Sequence, residues 1–165
     1  MDRNTIYLLL GGNLPDRITW MNLGLEAIAA TCGTIILSSG IYETAAWGKE
    51  DQEPFLNRAI ALDTDLAPLA LLAAVNKIEA SLGRQRDEKW GSRTLDIDIL
   101  FYGDQIIDLP TLKVPHPYLQ ERRFALVPLC EIAPGFIHPT LRKSVKQLLD
   151  ECKDPLRANI FQQTS

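Results

Sequence analysis

Residues 95–104 read "LDIDILFYGD", and the reading of this stretch decides the fold. The run "LDIDILFY" is rich in the residues that suit a pleated strand, and side chains alternate across such a strand. Asp96, Asp98 and Leu100 are therefore expected on one face, and Ile97, Ile99 and Phe101 on the other. Directly before it stands "RQRDEKWGSRT", residues 84–94, a polar loop crowded with arginine, lysine and tryptophan.

Working outward toward the N-terminus, "APLALLAAVNKIEASLG" reads as a helix stopped at Gly83, preceded by a strand "FLNRAIALDT" and a loop "AAWGKEDQEP". "TIILSSGIYET" is a further strand, "DRITWMNLGLEAIAATCG" a helix between Asp16 and Gly33, and "TIYLLLGG" a buried strand ending in a Gly-Gly-Asn turn. The order is βαββαβ, the ferredoxin-like split arrangement. The expected class is α+β, a mainly antiparallel sheet with its helices on one face. From Val114 onward prolines punctuate the chain. Short helices are expected in "RFALVPLCEIA" and "SVKQLLDECK", packed around the sheet edges, and a fraying end in "DPLRANIFQQTS". One domain is expected over residues 1–165, with a core from about 4 to 150.

Composition narrows the function. The chain has 165 residues, 46% of them hydrophobic, and 17 basic against 21 acidic residues give a net charge of −4. A nucleic-acid coat or a basic membrane binder does not fit that balance, so any anion must be met by a local cluster. Cys32, Cys130 and Cys152 are odd in number and widely spaced, which fits neither a disulfide framework nor a zinc cluster and points to a reducing compartment. The apolar run near the start is too short for a signal segment, and no run approaches membrane-spanning length. A cytoplasmic protein is expected.

Carboxylates at i and i+2 on a strand have Cα atoms roughly 7 Å apart, close enough to share or bracket hard divalent cations such as magnesium, which bridge to phosphates. A solvent-facing strand can carry the same Asp-x-Asp pattern with no such role. The neighbouring Arg84, Arg86, Lys89 and Arg93, with Arg122 and Arg123 further on, favour the first view, because guanidinium groups match phosphate oxygens. Pairing of these arginines with Asp87 and Glu88 on a solvated loop is the simpler alternative. Neither Gly-x-x-x-x-Gly-Lys-Ser/Thr nor Gly-x-Gly-x-x-Gly is present, so "GGN" serves as a turn. His116, in "VPHPYLQERRF", shares a segment with Arg122 and could donate to a phosphate, whereas His138, in "IHPTL", reads as a turn residue. A metal-dependent phosphodiesterase could use the same strand if further carboxylates joined it, Glu79 being the obvious helical candidate. An RNA-binding module on this fold would need stacking aromatics and a basic face.

Taken together, "YLLLGGNL", "SGIYETAAWG", "FLNRAIAL", "WGSRTLDIDILFYG" and "VPHPYLQERRFALVPLCEIAP" resemble the 6-hydroxymethyl-dihydropterin pyrophosphokinases of folate biosynthesis, in order, over nearly the whole chain to about Leu149. The resemblance implies transfer of diphosphate from ATP to the hydroxymethyl group of a reduced pterin, with AMP as the other product and two magnesium ions. It implies Asp96 and Asp98 as metal ligands, and Arg84, Arg86, Arg93 and Trp90 as a mobile loop closing on the reactants. Asn76, Glu79, Ile99, His116 and Arg122 would face the nucleotide. Phe55 and Phe124 would stack on the pterin, with Thr44, Ala45, Trp47, Asn57 and Asp96 around it. The residues alone favour Phe55 and Phe124 as ordinary core aromatics, so their stacking role rests on the resemblance. Phe55, Ala45, Ala46, Pro117 and Gly12 depart from residues common in that family, none of them at the metal or arginine positions. The expected partners are ATP and reduced pterin, with no nucleic acid or membrane, and the expected state is a monomer.

Overall fold

A computed structural model describes residues 5–45, 53–83 and 94–162. The elements run β1 (Ile6–Gly12), α1 (Arg17–Thr31), β2 (Thr34–Ser38), β3 (Ile41–Thr44), β4 (Phe55–Asp63), α2 (Pro68–Ser81) and β5 (Asp96–Tyr102). A two-stranded ribbon, β6 (Ile107–Asp108) and β7 (Lys113–Val114), precedes α3 (Arg123–Ile132), α4 (Val145–Glu151) and β8 (Asn159–Gln162). The main sheet has the order β5-β1-β4-β3-β8, with β2 also on β4, and every pairing is antiparallel. This is the expected α+β, ferredoxin-like core, with β5 on the open edge.

The first half of the chain follows the pattern closely. β1 is buried along its whole length, which is why "IYLLL" reads as a continuous apolar run and not as an alternation. It also runs through Gly12, so the expected turn begins two residues later, at Asn13. "TIILSSGIYET" is two strands. The break is made by buried Ser39, whose Oγ accepts from Ala59 N at 3.0 Å and donates to Gly40 O at 2.7 Å. A side chain that satisfies the backbone locally competes with the ladder and lets the chain kink.

Helices cover both sheet faces, and here the expectation of one helical face is corrected. On one face Leu8, Leu10, Ile60, Ile97 and Ile99 pack with Met21 and Ile28 of α1 and Leu71, Val75 and Ile78 of α2. On the other, Tyr7, Leu9, Ala59 and Ala61 meet Leu126 and Leu129 of α3 and Val145 and Leu148 of α4. The C-terminal part therefore does not lie around the edges but forms a second layer, because the strands themselves are apolar on both sides. Glu131 fastens that layer to β3, accepting from Gly40 N at 3.1 Å and from Tyr42 Oη at 2.7 Å. Within the end expected to fray, Asn159–Gln162 pair with β3, Tyr42 opposite Ile160 and Glu43 opposite Asn159.

One further correction concerns β5. The register with β1 shifts between Tyr7–Phe101 and Leu8–Ile99, leaving Leu100 as the extra residue of a β-bulge. Leu100 and Phe101 consequently both pack in the second layer, not on opposite faces, while Ile97 and Ile99 stay in the first. Phe101 is held there by Phe136 at 4.7 Å between ring centroids and by His138 at 5.5 Å. Among the described residues no helix is long and apolar enough to cross a membrane.

Candidate active site

Rows across the sheet assemble the site. Gly11 on β1 lies opposite Asn57 on β4 and Asp96 on β5, and Leu9 lies opposite Ala59 and Asp98. Thr44 pairs with Phe55 at the end of β3. By alternation along each strand, Thr44, Phe55, Asn57, Leu9, Gly11, Asp96 and Asp98 share the face that α3 covers. Gly11 is needed in the middle of that row, because a Cβ on it would stand 2.1 Å from Asn57 Oδ1.

Between this face and the start of α3 lies a cavity of about 220 Å³, walled by Leu9, Gly11, Thr44, Ala45, Phe55, Asn57, Asp96, Asp98, Arg122, Phe124 and Leu156. Two phenylalanines and two leucines make it apolar. Thr44 Oγ1, buried, has no hydrogen-bond partner among the described residues. A buried polar atom left open in an apolar cavity suits a ligand with a flat ring and a polar edge. Phe55 is steadied from outside: Asn13 Nδ2 donates to Glu53 O at 3.1 Å, and Arg17 donates to Pro54 O at 2.7 Å and to Glu43 at 3.1 Å. Arg122 lies over two rings, 5.4 Å from the Tyr118 centroid and 5.7 Å from that of Phe124.

A second, larger cavity of about 470 Å³ runs along the outer edge of β5. Asp96, Ile97, Asp98 and Ile99 form its floor, α2 contributes Leu72, Asn76 and Glu79, and the segment 110–117 supplies Thr111, Lys113 and His116. The two cavities share Asp96 and Asp98. An edge strand has main-chain groups with no strand beside them, and two residues meet those of β5. Glu79, buried on α2, accepts from Ile97 N at 2.7 Å, and His116 N donates to Leu100 O at 3.0 Å. The imidazole of His116 accepts from Tyr118 N at its Nδ1, 3.2 Å away, which leaves Nε2 as the N–H donor of the neutral ring. Burial, opposed by the Asp98 charge and reinforced by Arg122, holds His116 below its usual range. His138 is a turn residue, as expected: its Nδ1 accepts from Thr140 N and Leu141 N.

Of the residues singled out in the sequence, Asp96, Asp98, Asn76, Glu79, Ile99, His116, Arg122, Thr44, Ala45, Phe55, Asn57 and Phe124 all line one cavity or the other. Arg84, Arg86, Trp90, Arg93 and Trp47 lie outside the described residues. The anchors of the 84–93 segment are described. Gly83 has a φ of 93° that favours glycine, and Thr94 Oγ1 donates to Leu82 O at 2.8 Å. Leu9, Gly11, Thr111, Lys113 and Leu156 were not foreseen. Gly11 carried a signal, a glycine inside a strand, whereas Leu156 carried none.

A family model described as 7,8-dihydro-6-hydroxymethylpterin-pyrophosphokinase (HPPK) matches residues 7–134. The chain is 43% identical over 147 residues to the 2-amino-4-hydroxy-6-hydroxymethyldihydropteridine pyrophosphokinase of Aquifex aeolicus, covering 89% of this chain and 91% of that one. It is 43% identical over 148 residues to the enzyme of the same name from Pseudomonas aeruginosa, again covering 89% and 91%. A solved Plasmodium falciparum HPPK-DHPS superposes with a TM-score of 0.75 at 18% identity, covering 90% of this chain. The chain spans 43% of that longer polypeptide, and the likeness shows the fold. The class is thus that of the pyrophosphokinase transferases of folate biosynthesis. Within it, the chain belongs to the 7,8-dihydro-6-hydroxymethylpterin-pyrophosphokinase family.

Proposed function

We propose that this chain, as a single catalytic domain, transfers the β,γ-diphosphate of ATP to the hydroxymethyl oxygen of 6-hydroxymethyl-7,8-dihydropterin, releasing AMP. The observation that carries the reading is the meeting of two cavities at Asp96 and Asp98, one apolar and ring-walled, the other running along a strand edge beside α2. The pterin fits the first, between Phe55 and Phe124, with Thr44 Oγ1 and the Asn57 amide for its polar edge. ATP fits the second. Strand alternation turns the main chain of Ile99 outward like that of Ile97, offering an N–H and a C=O to a nucleobase.

Among the described residues no three His, Cys, Asp or Glu side chains cluster as a metal cage. Two carboxylates with space beside them suit magnesium, which keeps positions for phosphate oxygens and does not demand an all-protein cage. Asp96 and Asp98 would hold two such ions, which supply charge neutralisation on the polyphosphate when bound. The chain's own part is positioning. His116 donates from Nε2, Arg122 from its guanidinium, and Arg84, Arg86 and Arg93 join from the segment anchored at Gly83 and Thr94. Arg122 borders the ring-walled cavity and stands close enough to His116 to act on its titration, so it links the two substrates. Holding the hydroxymethyl oxygen in line with the β-phosphorus provides most of what a phosphoryl-type transfer needs, and no general base is assigned.

The test is product separation after incubation with magnesium, ATP and 6-hydroxymethyl-7,8-dihydropterin. AMP and pterin diphosphate should form in equal amounts. ADP in place of AMP, or unchanged ATP, would overturn the proposal.

A further inference from the structure

The chain from Cys152 to Leu156 was unremarkable in sequence, yet it is fastened to the start of α3 by three hydrogen bonds and braced by a fourth within itself. Arg123 Nε donates to Asp154 O at 2.9 Å, and an Arg123 Nη donates to Cys152 O at 2.9 Å. In return the Asp154 carboxylate accepts from two main-chain groups: Oδ2 from Arg123 N at 3.1 Å, and Oδ1 from Leu156 N at 3.0 Å. The residue at the N-cap of α3, Arg122, makes no side-chain capping bond. Asp154 therefore does for this helix, from 31 positions away, what an N-cap residue ordinarily does locally.

The placement matters because the residues flanking both ends of this carboxylate line one cavity. Arg122 and Phe124, on either side of Arg123, and Leu156, two residues beyond Asp154, are all on its wall. Further on, β8 pairs with β3, whose last residue Thr44 lines the same cavity. Phe161 of β8 lies under the guanidinium of Arg17, 5.2 Å away, the residue that also steadies the approach to Phe55.

We infer that Leu156 is a substrate-contacting residue of the pterin cavity, and that Asp154 is the positioning residue that sets Leu156, Arg122 and Phe124 at one spacing. The inference rests on the reading of this cavity as the pterin site. An ionised carboxylate at a helix start is well placed to hold that spacing, because it meets the positive end of the helix dipole as well as the open N–H. Leu156 closes the cavity with an aliphatic side chain, and a larger side chain there would occupy the space of the ring.

The test uses the full chain saturated with magnesium and a non-hydrolysable ATP analogue, titrated with the pterin by calorimetry. Leu156→Trp, at a half-buried position, should weaken pterin binding at least about tenfold while the affinity for the ATP analogue stays within about twofold. Asp154→Ala should do the same, and Asp154→Asn, which keeps one acceptor oxygen, should fall between it and the parent. In turnover, KM for pterin should rise with KM for ATP unchanged. Phe124→Ala is the internal control. If it weakens pterin binding and neither tail variant does, the inference about the tail is overturned and the cavity reading stands. If none of the three changes pterin binding, the cavity reading fails and takes the inference with it. Equal loss of both ligands in Leu156→Trp would make the tail a general structural element and also overturn it.

Discussion

Gly11→Ala offers the sharpest test of how the sheet builds the ring-walled cavity proposed to hold the pterin. The added Cβ would lie 2.1 Å from Asn57 Oδ1 and 3.2 Å from Leu56 O, so Asn57 must retreat by about 1 Å to restore van der Waals contact. Asn57 is only 4% exposed, and the free space beside it is the cavity itself. On the proposed reading its amide would then miss the polar edge of the pterin. One hydrogen bond lost in a buried site costs about 1–3 kcal/mol, or roughly tenfold to a hundredfold in affinity. Global stability should change less, since overpacking costs about 1–3 kcal/mol and is partly offset by the reduced freedom of the unfolded chain, about 0.4–1 kcal/mol. Calorimetry should therefore show pterin binding at least about tenfold weaker, ATP-analogue binding unchanged, and a small fall in the urea midpoint. Because the effect passes through one side chain, Gly11→Ala added to Asn57→Ala should cost almost nothing more. Normal pterin binding by Gly11→Ala, or full additivity in the double variant, would refute the reasoning.

Asp98→Asn preserves shape but removes a charge that, on the proposed reading, would draw magnesium. Turnover should drop roughly a hundredfold or more with the circular dichroism spectrum intact, and near-normal rates at saturating magnesium would remove Asp98 from the site. Glu79→Ala leaves the N–H of Ile97 without its acceptor and should cost about 1–3 kcal/mol in urea unfolding, whereas Glu79→Gln retains an acceptor and should recover most of it. His138 is held below its usual value near 6.5 by burial, and its Nδ1 must stay unprotonated to accept two N–H bonds. The unfolded chain then binds the extra proton first, so this contribution is fully present above the unfolded pKa and is lost as pH falls below about 6.5. His138→Asn, which keeps an acceptor but cannot titrate, should show a shallower loss of stability between pH 7.5 and 5.5 than the parent, and an unchanged slope would remove His138 as a source.

The local pattern made β1 to β5, α1 and α2 legible except for the break between β2 and β3, because the strand and helix periods differ and Gly33 and Gly83 mark where the helices stop. What it concealed were contacts set by distant parts of the chain. Leu100 and Phe101 look like ordinary alternation, and only pairing with β1 shows that one extra residue is absorbed and that Phe101 turns toward Phe136. Ser39 looks like any polar residue in a strand until Ala59 arrives to donate to it. The second helical layer was hidden for a similar reason: "IYLLL" is apolar throughout, and nothing in it says that its second face waits for α3 and α4 from the far end of the chain. Asp154 reads as the start of a fraying tail because the helix it caps begins 31 residues earlier.

The site was more legible than the fold's second layer, and the topology explains why. In the order β5-β1-β4-β3-β8, β5 is an edge strand with one face under α3 and one side open. Asp96 and Asp98 can therefore border a cavity on the sheet face and another along the edge, which a strand flanked on both sides could not provide. The open edge demands hydrogen-bond partners, and Glu79 and His116 N supply them at Ile97 and Leu100. That obligation ties the carboxylate spacing to α2 and to the segment leading to Arg122. The short motif "LDIDIL" could thus be read locally because its chemistry is carried by adjacent residues of one strand. The walls of the ring-lined cavity, drawn from β1, β3, β4, α3 and the segment before β8, could be named only where a resemblance supplied the long-range pairing.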